Sequence, residues 1–257
     1  MAAGEGGQHE AVLEAIGRRI VAGEYPAGAP LDLGLIGNEL GVSRSVVREA
    51  LRVLDTLGMV RAWPKRGTFV RLRSEWSWLH PLVLSWHRGL DYDVGFLEAV
   101  AQMREIIEPR VAGIAALRRT KAEADELRSA LAQMAADDWD MERFIEADVR
   151  FHRALLKATH NELLLQICGV VEAAVRTHDQ AVYVRHWSES LELHREVADA
   201  VARGSAEDAE AAMRRVLAQA LSDVKTADHD DQEIHDPAGG PAALRVPSET
   251  RSDHRIG

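Results

Sequence analysis

The chain has 257 residues, of which 46% are hydrophobic and 28% charged, as expected of a soluble globular protein with one large domain or two modest ones. A single cysteine, Cys168, excludes an internal disulfide framework and fits a reducing compartment. The best apolar run, residues 163–175, is interrupted by Gln166 and Glu172, and the N-terminus has no basic segment followed by an apolar one. We therefore expect no membrane span, no secretory signal and a cytoplasmic location.

The net charge of −10 is distributed unevenly along the chain. Residues 42–73 carry eight basic and two acidic side chains, a net charge of +6, whereas residues 76–257 carry 21 basic and 32 acidic ones, a net charge of −11. Because salt screens charges beyond about 10 Å, a local basic patch can attract phosphate whatever the charge of a distant segment. The acidic total therefore does not exclude a nucleic-acid partner.

Apolar side chains at helical spacing predict three helices near the N-terminus, over residues 9–22, 32–40 and 44–57. Asp32 and Ser43 are suitable N-caps for the second and third of these helices.

Two short β segments follow, at residues 59–62 and 68–72, and the turn between them reads Pro64, Lys65, Arg66, Gly67. Two helices, a tight turn, a third helix and a basic hairpin predict a winged helix-turn-helix domain over residues 9–73.

The remainder of the chain is predicted to be helical. Residues 74–94 contain three tryptophans and Pro81, and we interpret them as a linker with a short helix packed between domains. Residues 95–226 lack any β-rich run and predict an all-α bundle. Its predicted helices cover residues 95–118, 121–136, 140–159, 161–185, 188–203 and 206–226. Residues 227–257 are rich in Pro, Gly and charge, and we expect them to be disordered.

Four runs carry a family resemblance. The run "LGVSRSVVREALRVLDTLGMVRAWPKRGTFV" at 40–70 resembles the winged-helix domain of GntR-type bacterial transcription regulators. The runs at 103–118, 146–161 and 191–217 resemble the effector domain of the FadR group. The aromatic linker and the segment "AVYVRHW" are most similar to the sugar-acid (galactonate-type) repressors of that group. The resemblance implies a homodimer that binds a palindromic double-stranded DNA operator and is released by a small carboxylate.

A basic stripe marks the third helix. Arg44, Arg48 and Arg52 are spaced four residues apart, so they lie on one face, opposite the apolar residues. Arginine can bind guanine O6 and N7 with two hydrogen bonds in the major groove. The alternative is a solvated face whose arginines pair with Glu49 or Asp55. The resemblance favours DNA contact and implies the residues Ser43, Arg44, Ser45, Arg48, Arg52, Lys65, Arg66, Gly67 and Thr68.

One position departs from the family pattern. Relatives often carry an arginine where this chain has Gly34, in the helix before the turn. Without that contact, we expect recognition to depend more on Arg44, Arg48 and the wing.

A candidate metal site lies in the helical domain. Asp148 and His152, at i and i+4 on one helix, can offer a carboxylate and an imidazole to one ion, although such a pair is also common as a structural hydrogen bond. The resemblance adds His194 as a third ligand and places Val216 where relatives carry a fourth, histidine, ligand. It implies one divalent ion, Zn²⁺, Ni²⁺ or Mn²⁺.

The resemblance also implies an effector site near these ligands. Arg104 suits bidentate recognition of a carboxylate, with an ion pair to Glu108 as the alternative. Trp187 could stack on a sugar or belong to the core. The implied effector-binding set is Arg104, Asp148, His152, His194 and Trp187, with Arg176 and His178 as weaker candidates.

The favoured hypothesis is a repressor of a sugar-acid or other carboxylate catabolic operon, and not an enzyme. Two alternatives stay open: a regulator that responds to the metal itself, and a metal-dependent helical enzyme. The enzyme is disfavoured because the sequence shows no separate general base or nucleophile with a supporting partner.

Overall fold

The computed structural model describes the backbone of residues 5–87, 94–136 and 140–234, and the side chains of residues 7–87, 95–136, 140–176 and 188–222. Within these residues the elements are α1 (Glu5–Val21), β1 (Pro30–Leu31), α2 (Leu33–Leu40), α3 (Arg44–Thr56), β2 (Val60–Trp63), β3 (Gly67–Val70), α4 (Pro81–Ser85), α5 (Val94–Arg118), α6 (Lys121–Met134), α7 (Met141–Ala158), α8 (Glu162–Gln166), α9 (Cys168–Arg203) and α10 (Ala206–Ile234). None of the described helices is long and apolar enough to cross a bilayer.

Helices α1 to α3 and a small antiparallel sheet form the N-terminal domain. The strand order is β1-β3-β2, with Trp63 opposite Gly67 in the β2–β3 hairpin. Strand β1 was not predicted, because two residues are too few to show an alternating pattern. A mainly helical chain with one small sheet confirms the predicted fold class.

The turn between α2 and α3 follows from local chemistry. Gly41 ends α2 with a φ of 66°, a left-handed conformation that costs glycine little. Ser43 caps α3 by accepting a hydrogen bond from the amide of Val46. Helix α3 then buries its apolar face in the N-terminal core, through Val47, Ala50, Leu51 and Leu54. The opposite face of α3 is therefore directed away from the domain.

The linker helix α4 contacts both parts of the chain. On one side, Trp86, just after α4, is fully buried, and its indole Nε1 donates to Glu14 Oε2 of α1 at 2.6 Å. On the other side, Leu84 packs with residues of α5 and α9 and lies against Gly169. Helix α4 thus joins the N-terminal core to the helical bundle.

Two predicted helix boundaries in the bundle were wrong. Helix α9 continues through residues 186–187, where we expected a break, because the chain has no Gly or Pro between residues 170 and 203. The break lies instead at Ile167, between α8 and α9. Helix α10 extends to Ile234, eight residues into the segment predicted to be disordered, again with no Gly or Pro inside it. Residues 235–257 lie outside the described part.

Candidate functional site

The predicted recognition helix presents its basic stripe to solvent. Arg44, Arg48 and Arg52 are all exposed, whereas Val47 and Leu51 between them are buried. Arg52 Nη1 lies 2.6 Å from Glu49 Oε1, so this residue also fulfils the alternative of a solvated ion pair. Exposed ion pairs contribute little stability, and Arg52 can therefore exchange Glu49 for a phosphate at small cost.

The wing places two basic side chains at the tip of the β2–β3 hairpin. Its turn is closed by a hydrogen bond from the amide of Arg66 to the carbonyl of Trp63, at 3.1 Å. Lys65 has a φ of 61° and Gly67 a φ of 100°. The left-handed conformation costs a lysine about 1–2 kcal/mol more than a glycine. The turn therefore carries a positive charge at a position where glycine would be more stable. Lys65 and Arg66 are both exposed.

Thr68 is a correction to the predicted DNA-contacting set. Its side chain is only 8% exposed, because Thr68 lies on the inward face of the central strand, paired with Leu31 and Ala62. Successive positions of a strand face opposite sides of the sheet, so in β3 position 67 faces solvent and position 68 faces the core. A side-chain contact from Thr68 to DNA is therefore not supported.

The helical bundle brings Asp148, His152 and His194 together. All three are buried, with at most 3% exposure, and one ligand atom of each lies within 4.8 Å of the others. Asp148 Oδ1 is 3.3 Å from His152 Nε2 and 3.1 Å from His194 Nε2. Helix α7 supplies the first two residues and α9 the third, so the cluster exists only where these helices pack.

Both imidazoles are oriented by a second contact at Nδ1. His152 Nδ1 lies 2.7 Å from Glu108 Oε2, and His194 Nδ1 is 2.7 Å from the carbonyl oxygen of Ser190. A carbonyl can only accept, so His194 carries a proton on Nδ1. The other ring nitrogen, Nε2, faces Asp148 Oδ1 at 3.1 Å, and Nε2 is buried without a hydrogen bond within the described residues. A cation between Nε2 and Asp148 would resolve this contact, so the residues fit a metal ion.

The electrostatics of the cluster support a cation at this position. Burial by itself would lower the pKa of His152, but the carboxylates of Glu108 and Asp148 outweigh burial and raise that pKa to about 9. Burial would raise the pKa of Asp148, but His194 and His152 hold it well below its usual value. At neutral pH a proton on His152 therefore balances Asp148, and a metal ion would take the place of that proton.

Arg104 lies beside the cluster, on α5. It is 8% exposed, its Nε donates to Glu108 Oε1 at 2.6 Å, and its Nη2 is 3.4 Å from His152 Nε2. Burial would raise the pKa of Glu108, but Arg104 and His152 lower it to about 2. Glu108 thus bridges Arg104 and His152. The sequence suggested only its i,i+4 pairing with Arg104, and neither that bridge nor the Ser190 contact was predicted.

Two further predicted positions with described side chains, Val216 and Arg176, do not join this cluster. Val216 is a buried apolar residue and cannot supply a fourth metal ligand. Arg176 pairs instead with acidic residues of α7 and α9, namely Glu142, Glu146 and Glu172. The side chains of Trp187 and His178 lie outside the described residues.

His160 and Asn161 lie in the short connection between α7 and α8. Asn161 caps α8 by accepting from the amides of Leu163 and Leu164, and His160 has a φ of 50° and its Nε2 lies 3.0 Å from Glu123.

Two family models match this chain, one over the DNA-binding domain and one over the helical bundle. The model described as "Bacterial regulatory proteins, gntR family" matches residues 8–70, and the model described as "FCD domain" matches residues 99–219. The chain is 32% identical to the galactonate operon transcriptional repressor of Escherichia coli, over 83% of this chain and 95% of that protein. It is 33% identical to a putative L-lactate dehydrogenase operon regulatory protein of the same organism, over 75% and 76%.

A solved structure supports the fold alone. The structure of Lar, which controls the expression of the Listeria monocytogenes agr system, superposes with a TM-score of 0.59 at 16% identity, over 88% of this chain and 98% of that one. The matched domains and named relatives are transcriptional regulators and not enzymes. The chain therefore belongs to the GntR family of bacterial transcriptional regulators, with a GntR-type DNA-binding domain followed by an FCD domain.

Proposed function

We propose that this regulator represses a sugar-acid or other carboxylate catabolic operon, and that a 2-hydroxycarboxylate bound in the FCD domain releases it from DNA. The observation that carries this proposal is the buried cluster of Asp148, His152 and His194 with Arg104 beside it. A buried arginine next to three convergent metal ligands suits an anion that can also coordinate a metal.

The proposed effector would be bound through two interactions, one with a metal ion and one with Arg104. Asp148, His152 and His194 would hold a divalent ion, and that ion supplies coordination positions for effector oxygens. Arg104 would pair with the effector carboxylate through the guanidinium edge that Glu108 does not use. The relatives named for galactonate and L-lactate dehydrogenase operons support a 2-hydroxycarboxylate, since galactonate and lactate both carry a hydroxyl next to the carboxylate.

On DNA, we propose a homodimer. One recognition helix reads only a few base pairs, so two symmetric copies of α3 are needed to read a palindromic operator. Arg44, Arg48 and the wing residues Lys65 and Arg66 are exposed and provide the base and phosphate contacts. The effector must bind more tightly to the arrangement that does not fit DNA, because a ligand with equal affinity for both arrangements shifts nothing.

Fluorescence anisotropy with a labelled duplex of the protein's own promoter tests the proposal. The zinc-loaded protein is titrated at moderate salt, with and without D-galactonate, D-glucuronate and L-lactate, each tested separately. We expect tight binding without acid and release by at least one acid. Absence of DNA binding would refute the regulator, and binding that none of the acids changes would refute the effector class.

Arg104→Ala separates effector recognition from DNA binding. We expect this variant to bind DNA as the wild type does and to lose release by the acid. Arg128→Ala, which removes an exposed arginine paired with Asp125, is the matched control and should respond as the wild type does. Loss of DNA binding in Arg104→Ala, or full release by the acid, would contradict the assigned role.

A regulator that responds to the metal itself is the second candidate. The specific observation is that three protein side chains, Asp148, His152 and His194, offer ligand atoms that converge on one point. In the same assay started from metal-free protein, release by Zn²⁺, Ni²⁺ or Mn²⁺ alone, unchanged by any acid, would favour this candidate.

A further inference from the structure

The start of α2 has an unusual contact with the recognition helix. Asp32 caps α2 by accepting hydrogen bonds from the amides of Gly34 at 2.7 Å and Leu35 at 3.0 Å. The guanidinium of Arg44, the first residue of α3, lies directly over Gly34. A Cβ atom at Gly34 would be 2.7 Å from Arg44 Nη2 and 3.3 Å from its Cζ. The missing side chain at residue 34 therefore provides the space that Arg44 occupies.

The same space lies next to the Asp32 carboxylate. The Cβ position at Gly34 is 3.1 Å from Asp32 Oδ1, so the carboxylate and the guanidinium approach one point from two sides. The amides of Leu35 and Gly34, followed by the charge of Arg44, lower the pKa of Asp32, which stays anionic at neutral pH. Asp32 thus makes two contributions: its side chain caps α2, and its charge attracts Arg44, the first residue of α3.

We propose that Asp32 and Gly34 position Arg44 for base recognition, and that residue 34 thereby determines specificity without contacting DNA. This inference rests on the proposed operator binding through α3. The guanidinium of Arg44 lies over Gly34 and is attracted by Asp32 without a hydrogen bond to it, so its N–H groups stay available for guanine O6 and N7. An unpositioned arginine loses more side-chain freedom when it binds, and it can reach several neighbouring acceptors instead of one.

The arrangement predicts an effect on selectivity and not on stability. Asp32 and Arg44 are both exposed, and exposed charge pairs contribute little to folding. Gly34→Ala fills the space of the guanidinium and favours the helical conformation of α2, so this variant should fold. Asp32→Asn removes the charge and keeps a good N-cap residue. The two substitutions therefore disturb Arg44 by independent routes.

Anisotropy titrations with modified operators test the inference. Each guanine of the half-site is replaced in turn by 7-deazaguanine, which lacks the N7 acceptor. We expect wild-type protein to lose about tenfold in affinity at one guanine, as for a bidentate arginine contact. In Gly34→Ala and in Asp32→Asn, the loss at that guanine should fall to about threefold or less, because the contact is already weakened.

A double-mutant cycle assigns the effect to Arg44. In an Arg44→Ala background, neither Gly34→Ala nor Asp32→Asn should change guanine selectivity further. Selectivity that stays at the wild-type level in both variants, or losses that remain additive with Arg44→Ala, would overturn the inference. Wild-type protein that binds no operator at all would instead refute the proposed function, so the two failures are distinguishable.

Discussion

Replacing Gly17 by alanine tests whether Trp86 of the linker packs against α1 of the DNA-binding domain. Gly17 lies on the face of α1 that meets the indole of Trp86, and a Cβ atom there would be 2.5 Å from its Cε2 and 2.6 Å from its Cδ2. The ring is fully buried, and its Nε1 donates to Glu14 Oε2. The indole therefore cannot move aside without loss of that hydrogen bond or displacement of α4.

The expected magnitude combines opposing effects. Alanine inside a helix is more favourable than glycine by about 1 kcal/mol. Overpacking a buried contact costs about 1–3 kcal/mol, and loss of the hydrogen bond from Trp86 to Glu14 costs about 1 kcal/mol. We expect Gly17→Ala to destabilise the protein by about 1–3 kcal/mol in spite of the better helix propensity. For a chain of this size, the apparent Tm should fall by about 2–12 °C.

Gly169→Ala provides the matched control on the opposite side of α4. A Cβ atom at Gly169 would be 3.6 Å from Leu84 Cδ1, an ordinary van der Waals distance. We therefore expect Gly169→Ala to be neutral or to stabilise by up to about 1 kcal/mol. Thermal unfolding followed by circular dichroism compares the two variants with the wild type. A Tm of Gly17→Ala equal to or above that of the wild type would show that Trp86 does not pack against Gly17.

Three further predictions concern the buried cluster. Zinc must displace the proton that Glu108 and Asp148 hold on His152, whose pKa is about 9; zinc affinity, measured by competition with a chelator, should therefore rise between pH 6.5 and 8.5, and a flat profile would contradict the assigned ligand. The same proton stabilises the metal-free fold fully below the unfolded pKa of about 6.5, and this contribution is lost as the pH rises through about 9. Glu108→Gln removes the buried carboxylate charge that faces both Arg104 Nε and His152 Nδ1 and should lower the free energy of unfolding of the metal-free protein by about 3–5 kcal/mol. Urea denaturation measures this change, and a loss below about 1 kcal/mol would show that the pair is not buried in solution.

Local chemistry made the N-terminal domain predictable. The caps Asp32 and Ser43, the glycine that ends α2 and the apolar face of α3 all act within a few residues, so the sequence predicts them correctly. Strand β1 and the buried position of Thr68 depend on which strands pair across the sheet. Pairing between residues almost 40 positions apart produces no recognisable sequence pattern in a two-residue strand.

The buried cluster was predictable only in part. The i,i+4 spacing of Asp148 and His152 places both on one face of α7, and a similar spacing links Arg104 to Glu108. The meeting of His194 with Asp148 was implied by the family resemblance and not by spacing. The carbonyl of Ser190 that orients His194, and the bridge from Glu108 to His152, follow from the packing of α5, α7 and α9.

By itself, the sequence determined that this chain is mainly helical, that a helix with a basic face and a basic hairpin follow the turn at Gly41, and that Asp148 and His152 share one helix face. These properties depend on residue type and short-range spacing, which act before the chain folds. Only the tertiary structure decided that Arg104 and His152 share Glu108, that Trp86 closes on Gly17, and that Arg44 lies over Gly34. Each of these contacts joins different elements or places charges in a buried environment, and both conditions arise only when the helices have packed.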